Sequence, residues 1–132
     1  MPKSNMIVGG DLVRVRDIAE SISRFGDRYT RRVFTEGEIR YCEQHPQLTV
    51  ERFAARFAAK EATMKALRPS ATDGVAWQSI EVQATVDGWC EIVLHGAAAA
   101  LAQRRGIDWL TLTMSHEHEY ATATVVAGCT AE

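Results

Sequence analysis

The chain has 132 residues, 46% of them apolar and 24% charged, with a formal net charge of −2. That size and balance allow one buried core and exclude whole-chain disorder, a collagen-like repeat and a disulfide scaffold. The charge gives no overall bias towards nucleic acid, and Cys42, Cys90 and Cys129 have neither zinc-site nor disulfide-framework spacing.

A short apolar run at residues 6–8 predicts a strand ending in a turn at Gly9, Gly10 and Asp11. Val15, Ile18, Ile22 and Phe25 recur at helical spacing. Thr35 and Glu38 have the spacing of a capping box and mark another helix start, and Pro46 interrupts the pattern that follows. Residues 49–67 carry the strongest helical signal: Val50, Phe53, Phe57, Met64 and Leu67 form an apolar stripe between Ala, Glu, Lys and Arg, and Pro69 stops it.

The second half turns to strands. Ile80, Val82, Ala84 and Val86 alternate with polar residues, Asp87-Gly88 is a hairpin turn signal, and Cys90, Ile92 and Leu94 alternate on the return. Residues 97–105 read as a helix closed by Gly106, and strands at 109–114 and 120–126 flank a loop at 115–119. The pattern predicts one α+β domain over residues 1–132, a mainly antiparallel sheet packed against helices. With no run of 18 apolar residues and no signal-peptide pattern, the expectation is a cytoplasmic chain outside the membrane.

Two places carry candidate chemistry. Asp11 follows two glycines at a strand end, where it is either a helix cap or a ligand-facing carboxylate. Glu61 and Lys65 lie four apart on one helix face, either as a surface ion pair or as part of a cluster with Arg56 and Lys60 that could hold a metal and phosphates. Mg²⁺ takes oxygen ligands, commonly one or two carboxylates plus phosphates and water, which Asp11 and Glu61 would supply if the fold joins them. His116 and His118 with Glu117 and Glu119 read as a solvated hairpin loop ahead of a metal site. The cysteines and Trp77, Trp89 and Trp109 read as packing residues.

Gly9-Gly10-Asp11-Leu12-Val13 and Arg56-Phe57-Ala58-Ala59-Lys60-Glu61-Ala62-Thr63-Met64-Lys65-Ala66 resemble the two motifs of the holo-acyl-carrier-protein synthases, small 4′-phosphopantetheinyl transferases. Similarity extends to Arg31-Arg32-Val33-Phe34-Thr35-Glu36, to Ile80-Glu81-Val82 and to Ser115-His116 with Tyr120-Ala121, and so spans nearly the whole chain. The resemblance implies a transferase-like fold and Mg²⁺-dependent transfer of phosphopantetheine from coenzyme A to a serine of an apo acyl carrier protein, releasing 3′,5′-ADP. It implies Asp11 and Glu61 as metal ligands, Arg56, Lys60 and Lys65 facing coenzyme A phosphates, and His116 near the nucleotide. Asp11, Glu61 and Lys65 are then the catalytic set. A homotrimer with sites between subunits is implied as well.

The chain departs from the family in two ways. Leu67-Arg68-Pro69-Ser70 replaces the usual Phe-Gly-Thr-Gly, so Arg68 is expected to offer a side-chain phosphate contact instead of backbone donors. An acid usual near Arg14 and a base usual near Asp17 are reversed. The reversal suits a transferase for polyketide or other specialised carriers, and the changed loop suits a silent coenzyme A- or carrier-binding module. Arg14, Arg24, Arg28, Arg31 and Arg32 are the expected basic docking surface, with Arg24 and Arg28 on one helix face.

Overall fold

The computed structural model describes residues 5–130. Its elements run β1 (Met6–Arg14), α1 (Val15–Phe25), α2 (Asp27–Val33), α3 (Glu36–Cys42), α4 (Thr49–Leu67), β2 (Ile80–Ala84), β3 (Cys90–Leu94), α5 (Gly96–Arg104), β4 (Trp109–His116) and β5 (Tyr120–Gly128). A three-stranded antiparallel sheet has the order β1-β5-β4, and β2-β3 form a separate antiparallel hairpin. The α+β expectation therefore stands, with helices on the sheet.

Helix α4 is the centre. One face packs on β1, β5 and β4, and others meet α1, α3 and β2. Its buried positions are mostly alanines, Ala54, Ala55, Ala58, Ala59, Ala62 and Ala66, whereas Val50, Phe57 and Met64 of the expected stripe are only partly buried. A helix enclosed on several sides needs small residues all round more than one apolar stripe. Ala121, Ala123 and Ala127 on β5 are likewise buried, so strand and helix approach closely.

The expected turn at Gly9-Gly10-Asp11 is not there. Strand β1 continues to Arg14, with Gly9 opposite Val125 and Asp11 opposite Ala123. Gly9 serves close approach instead: a Cβ built on it would lie 2.0 Å from the Ala62 carbonyl oxygen. Strand alternation then decides where Asp11 points. It shares the parity of buried Gly9 and Val13, so it faces α4.

Thr35 and Glu38 do form a capping box. Glu38 reaches further than a cap requires. It lies 2.8 Å from Lys60 Nζ and accepts from the Val82 amide at 2.8 Å, and both side chains are fully buried. Lys60 also donates to the carbonyls of Trp77 and Ile80. Burial pushes the lysine below its ordinary value, and the Glu38 charge opposes this. The pair ties α4, α3 and β2 together.

Two helix ends differ from expectation. Gly26, at φ 55°, breaks the chain between α1 and α2, so Arg24 and Arg28 stand on different helices and share no face. Arg28 and Arg32 share one on α2. Helix α4 ends on Arg68 in the left-handed conformation, φ 54° and ψ 58°. Arginine holds the backbone shape that glycine ordinarily supplies, and Arg105 donates to its carbonyl at 2.7 Å. Removing the Cβ relieves about 1–2 kcal/mol of strain against about 0.5–1 kcal/mol of added unfolded-chain entropy. Arg68→Gly should therefore raise the thermal midpoint by a few degrees. A lowered midpoint in a calorimetric melt would show that the Arg68 side chain outweighs its backbone.

Candidate active site

Three of the expected residues converge. Asp11 comes from the middle of β1, and Glu61 and Lys65 from successive turns of α4. Lys65 Nζ lies 3.1 Å from Asp11 Oδ1 and donates to the Gly10 carbonyl at 2.9 Å. The ordinary Glu61–Lys65 surface pair is thus displaced by a bridge from helix to strand. Thr122 of β5 donates its hydroxyl to the Asp11 carbonyl at 2.9 Å and steadies the strand there.

Glu61 is half-buried, and its carboxyl is raised from the ordinary value, first by burial and then by the Asp11 charge, against the pull of Lys65. Two carboxylates held where one feels the other's charge make a place for a cation. Among the described residues no group of three or more His, Cys, Asp and Glu side chains could hold a metal. A pair of carboxylates is what Mg²⁺ uses when phosphates and water complete its shell. The donor set fits that ion.

The remaining expected contacts are elsewhere. Lys60, one residue from Glu61, points into the interior, where Glu38 and two carbonyls take its donors. It is sealed from any phosphate, which corrects its expected role. Arg56 is also buried, with its guanidinium 4.1 Å from the Tyr41 ring centroid and Nη2 3.7 Å from Cys90 Sγ. Its Nε is buried without an acceptor. His116 ends β4, and Glu51 Oε1 lies 2.8 Å from its Nδ1. The 115–119 region is a tight hairpin in which Glu117 accepts from the amides of Glu119 and Tyr120 at 2.8 and 2.7 Å.

Glu38 and Glu51 had no functional signal in the sequence beyond helix patterning. The capping box pointed to Glu38 for a reason other than its main contact. Gly9 reads as a turn former in the sequence and is a close-approach position in the fold.

Comparison with known proteins gives the class. The pattern of the 4′-phosphopantetheinyl transferase superfamily matches residues 7–125, and the chain belongs to that family. It is 48% identical over 118 residues to the holo-[acyl-carrier-protein] synthase of Koribacter versatilis, covering 89% of this chain and 94% of that one. The synthase of Solibacter usitatus is 42% identical over 123 residues, covering 92% and 98%. Among solved structures, the ACPS–CoA complex from Chronobacterium ammoniagenes superposes with a TM-score of 0.84 at 33% identity, covering 97% of this chain and all of that one.

Proposed function

We propose that this chain transfers 4′-phosphopantetheine from coenzyme A to a serine hydroxyl of an apo acyl carrier protein. The observation that carries the reading is the convergence of Asp11, Glu61 and Lys65 from two elements distant in sequence, in a chain whose relatives are synthases of this kind. Asp11 and Glu61 would hold Mg²⁺, which supplies charge neutralisation at a pyrophosphate when bound.

The chain's own residues divide the work. The serine oxygen forms a bond to the β-phosphorus, the bridging P–O bond breaks, and 3′,5′-ADP leaves with that oxygen. Glu61, whose carboxyl is already raised towards proton affinity, accepts the serine proton and passes it to solvent. Lys65 is more than half exposed and swings from Asp11 to the developing charge on the leaving oxygen. Arg68 and His116 offer exposed polar ends to the coenzyme A phosphates, whereas Arg56 is closed off by burial as Lys60 is. Lys60 takes no part except to hold α4.

Two surfaces support the partner assignments. Val8 and Leu12 project from the outer side of β1, 64% and 66% exposed. With Val126 and Thr122 opposite them, they make an uncovered sheet face that suits subunit contact and a homotrimer. Light scattering should give three chains per particle; an active monomer would reject it. Arg28 and Arg32 with Phe25, Tyr29 and Val33 line a cavity of about 360 Å³ that suits an acidic carrier helix. No helix among the described residues is long and apolar enough to cross a membrane, and the reading places the chain in the cytoplasm. Release of 3′,5′-ADP, followed by chromatography with coenzyme A, Mg²⁺ and an apo carrier, tests the reaction. Carrier-independent release, or none, would overturn it.

A further inference from the structure

Glu51 stands in the first turn of α4, and its carboxylate lies under the β4–β5 hairpin. Oε1 is 2.8 Å from His116 Nδ1, and Oε2 is 3.7 Å from His118 Nδ1. The Glu51 side chain is only 14% exposed, against 32% for His116 and 96% for His118. A carboxylate this well covered has to keep a hydrogen bond, because an unpaired acceptor out of water is costly. The two rings differ as partners. His116 ends β4 and sits at bonding distance, whereas His118 is out in solvent and beyond hydrogen-bond reach.

An ionised carboxylate can only accept, so the bond at 2.8 Å places a proton of the His116 ring on Nδ1. A free imidazole is not bound to either nitrogen in this way; here the partner makes the choice. The other nitrogen, Nε2, has no partner among the described residues. One side of the ring is fixed to α4, and the other is left for something the chain does not supply.

We infer that Glu51 is a positioning residue for the nucleotide end of coenzyme A: it holds His116 Nδ1 so that Nε2 meets a phosphate oxygen of the ligand. The inference rests on the transferase reading and on the place of His116 in it. The bond at Nε2 needs one proton between nitrogen and phosphate, and the ligand can bring it, since a phosphate monoester takes up its second proton at about pH 6. Glu51 does not touch the ligand and acts through the ring. His118, loosely held by the same carboxylate, takes no part.

The probe is 3′,5′-ADP, the product that carries the nucleotide end, with its affinity read by calorimetric titration. Glu51→Ala and His116→Ala should each weaken binding about tenfold, the effect of losing one hydrogen bond to a charged group. The double variant should bind no more weakly than His116→Ala, because Glu51 has nothing to orient once the ring is gone. The KM for coenzyme A should rise by the same factor in each, and His118→Ala should match the parent. Nitrogen NMR of the free protein, above the titration of the ring, should find the His116 proton on Nδ1 and find it moved towards Nε2 in Glu51→Ala. If Glu51→Ala does not fold, Glu51→Gln takes its place in the same cycle. Parent-like binding in the folded Glu51 variant, a further loss on adding it to His116→Ala, or a parent His116 proton on Nε2 would overturn the inference. The transfer assay keeps it apart from the reading beneath it: such a result in a parent that transfers phosphopantetheine removes this inference alone. A parent that neither transfers nor binds 3′,5′-ADP removes both.

Discussion

Glu61→Gln is expected to lose about a thousandfold in phosphopantetheine transfer while becoming slightly more resistant to heat in the absence of divalent cations. The first effect follows from removing a metal-binding and proton-accepting oxygen, which costs about 4 kcal/mol of transition-state stabilisation. The second follows from the sign of the shift. Burial and the Asp11 charge raise the Glu61 carboxyl, so its ionised form is less favourable in the folded chain than in the unfolded one. That penalty is absent at low pH and appears as pH rises through the unfolded and then the folded value. The neutral amide removes it. Melts of both proteins at acid and neutral pH, with chelator and then with Mg²⁺, read the effect. The parent should gain from Mg²⁺ at neutral pH more than the variant does. Near-normal transfer by a folded Glu61→Gln would remove Glu61 from the mechanism.

Gly9→Ala should damage the fold and the site together. The added Cβ would stand 2.0 Å from the Ala62 carbonyl oxygen and 3.1 Å from the Ala66 amide nitrogen, both backbone atoms that no rotamer change can move. Strand β1 must therefore shift away from α4. Overpacking of this kind costs about 3 kcal/mol, at the upper end of the usual range. Asp11 is two residues along the same strand and faces the same helix. The displacement should lengthen the Lys65–Asp11 bridge and weaken Mg²⁺-dependent stabilisation. Gly10→Ala is the control, because its Cβ would meet nothing closer than 3.8 Å. A Gly9→Ala protein as stable and active as Gly10→Ala would show that the two elements do not need this contact.

Much of the fold was legible because local rules and tertiary packing agreed. The Thr35–Glu38 box, the Asp87-Gly88 turn and the long helix ending before Pro69 each rest on short-range chemistry. Local rules failed where the cause was contact between distant segments. Glycines in a strand look like a turn until Ala62 is seen above Gly9. Gly26 could sit inside a helix as readily as between two, and only its left-handed φ separates Arg24 from Arg28.

The site shows the same division. Spacing put Glu61 and Lys65 on one helix face, and the family motif attached Asp11 to them, as the Lys65–Asp11 bridge now displays. Lys60 and Arg56 belong to the same motif, and the resemblance implies that both face phosphates. One residue of helix rotates a side chain by about 100°, enough to carry Lys60 from the surface to Glu38. Nothing in the residues near Lys60 signals that partner, which comes from another helix. Burial of charge is decided by the whole packing arrangement, and sequence patterns see only its average.

The most direct measurement is the intact mass of an apo acyl carrier protein after incubation with this protein, coenzyme A and Mg²⁺. The account predicts that the carrier gains one phosphopantetheine group on its serine, that chelation of Mg²⁺ stops the gain, and that Glu61→Gln does not support it over the same time. A panel of fatty-acid and polyketide carriers run side by side would also show which the chain prefers. No mass gain on any carrier, from protein shown by its melt to be folded, would contradict the account and leave a chain that has the family's fold without its chemistry.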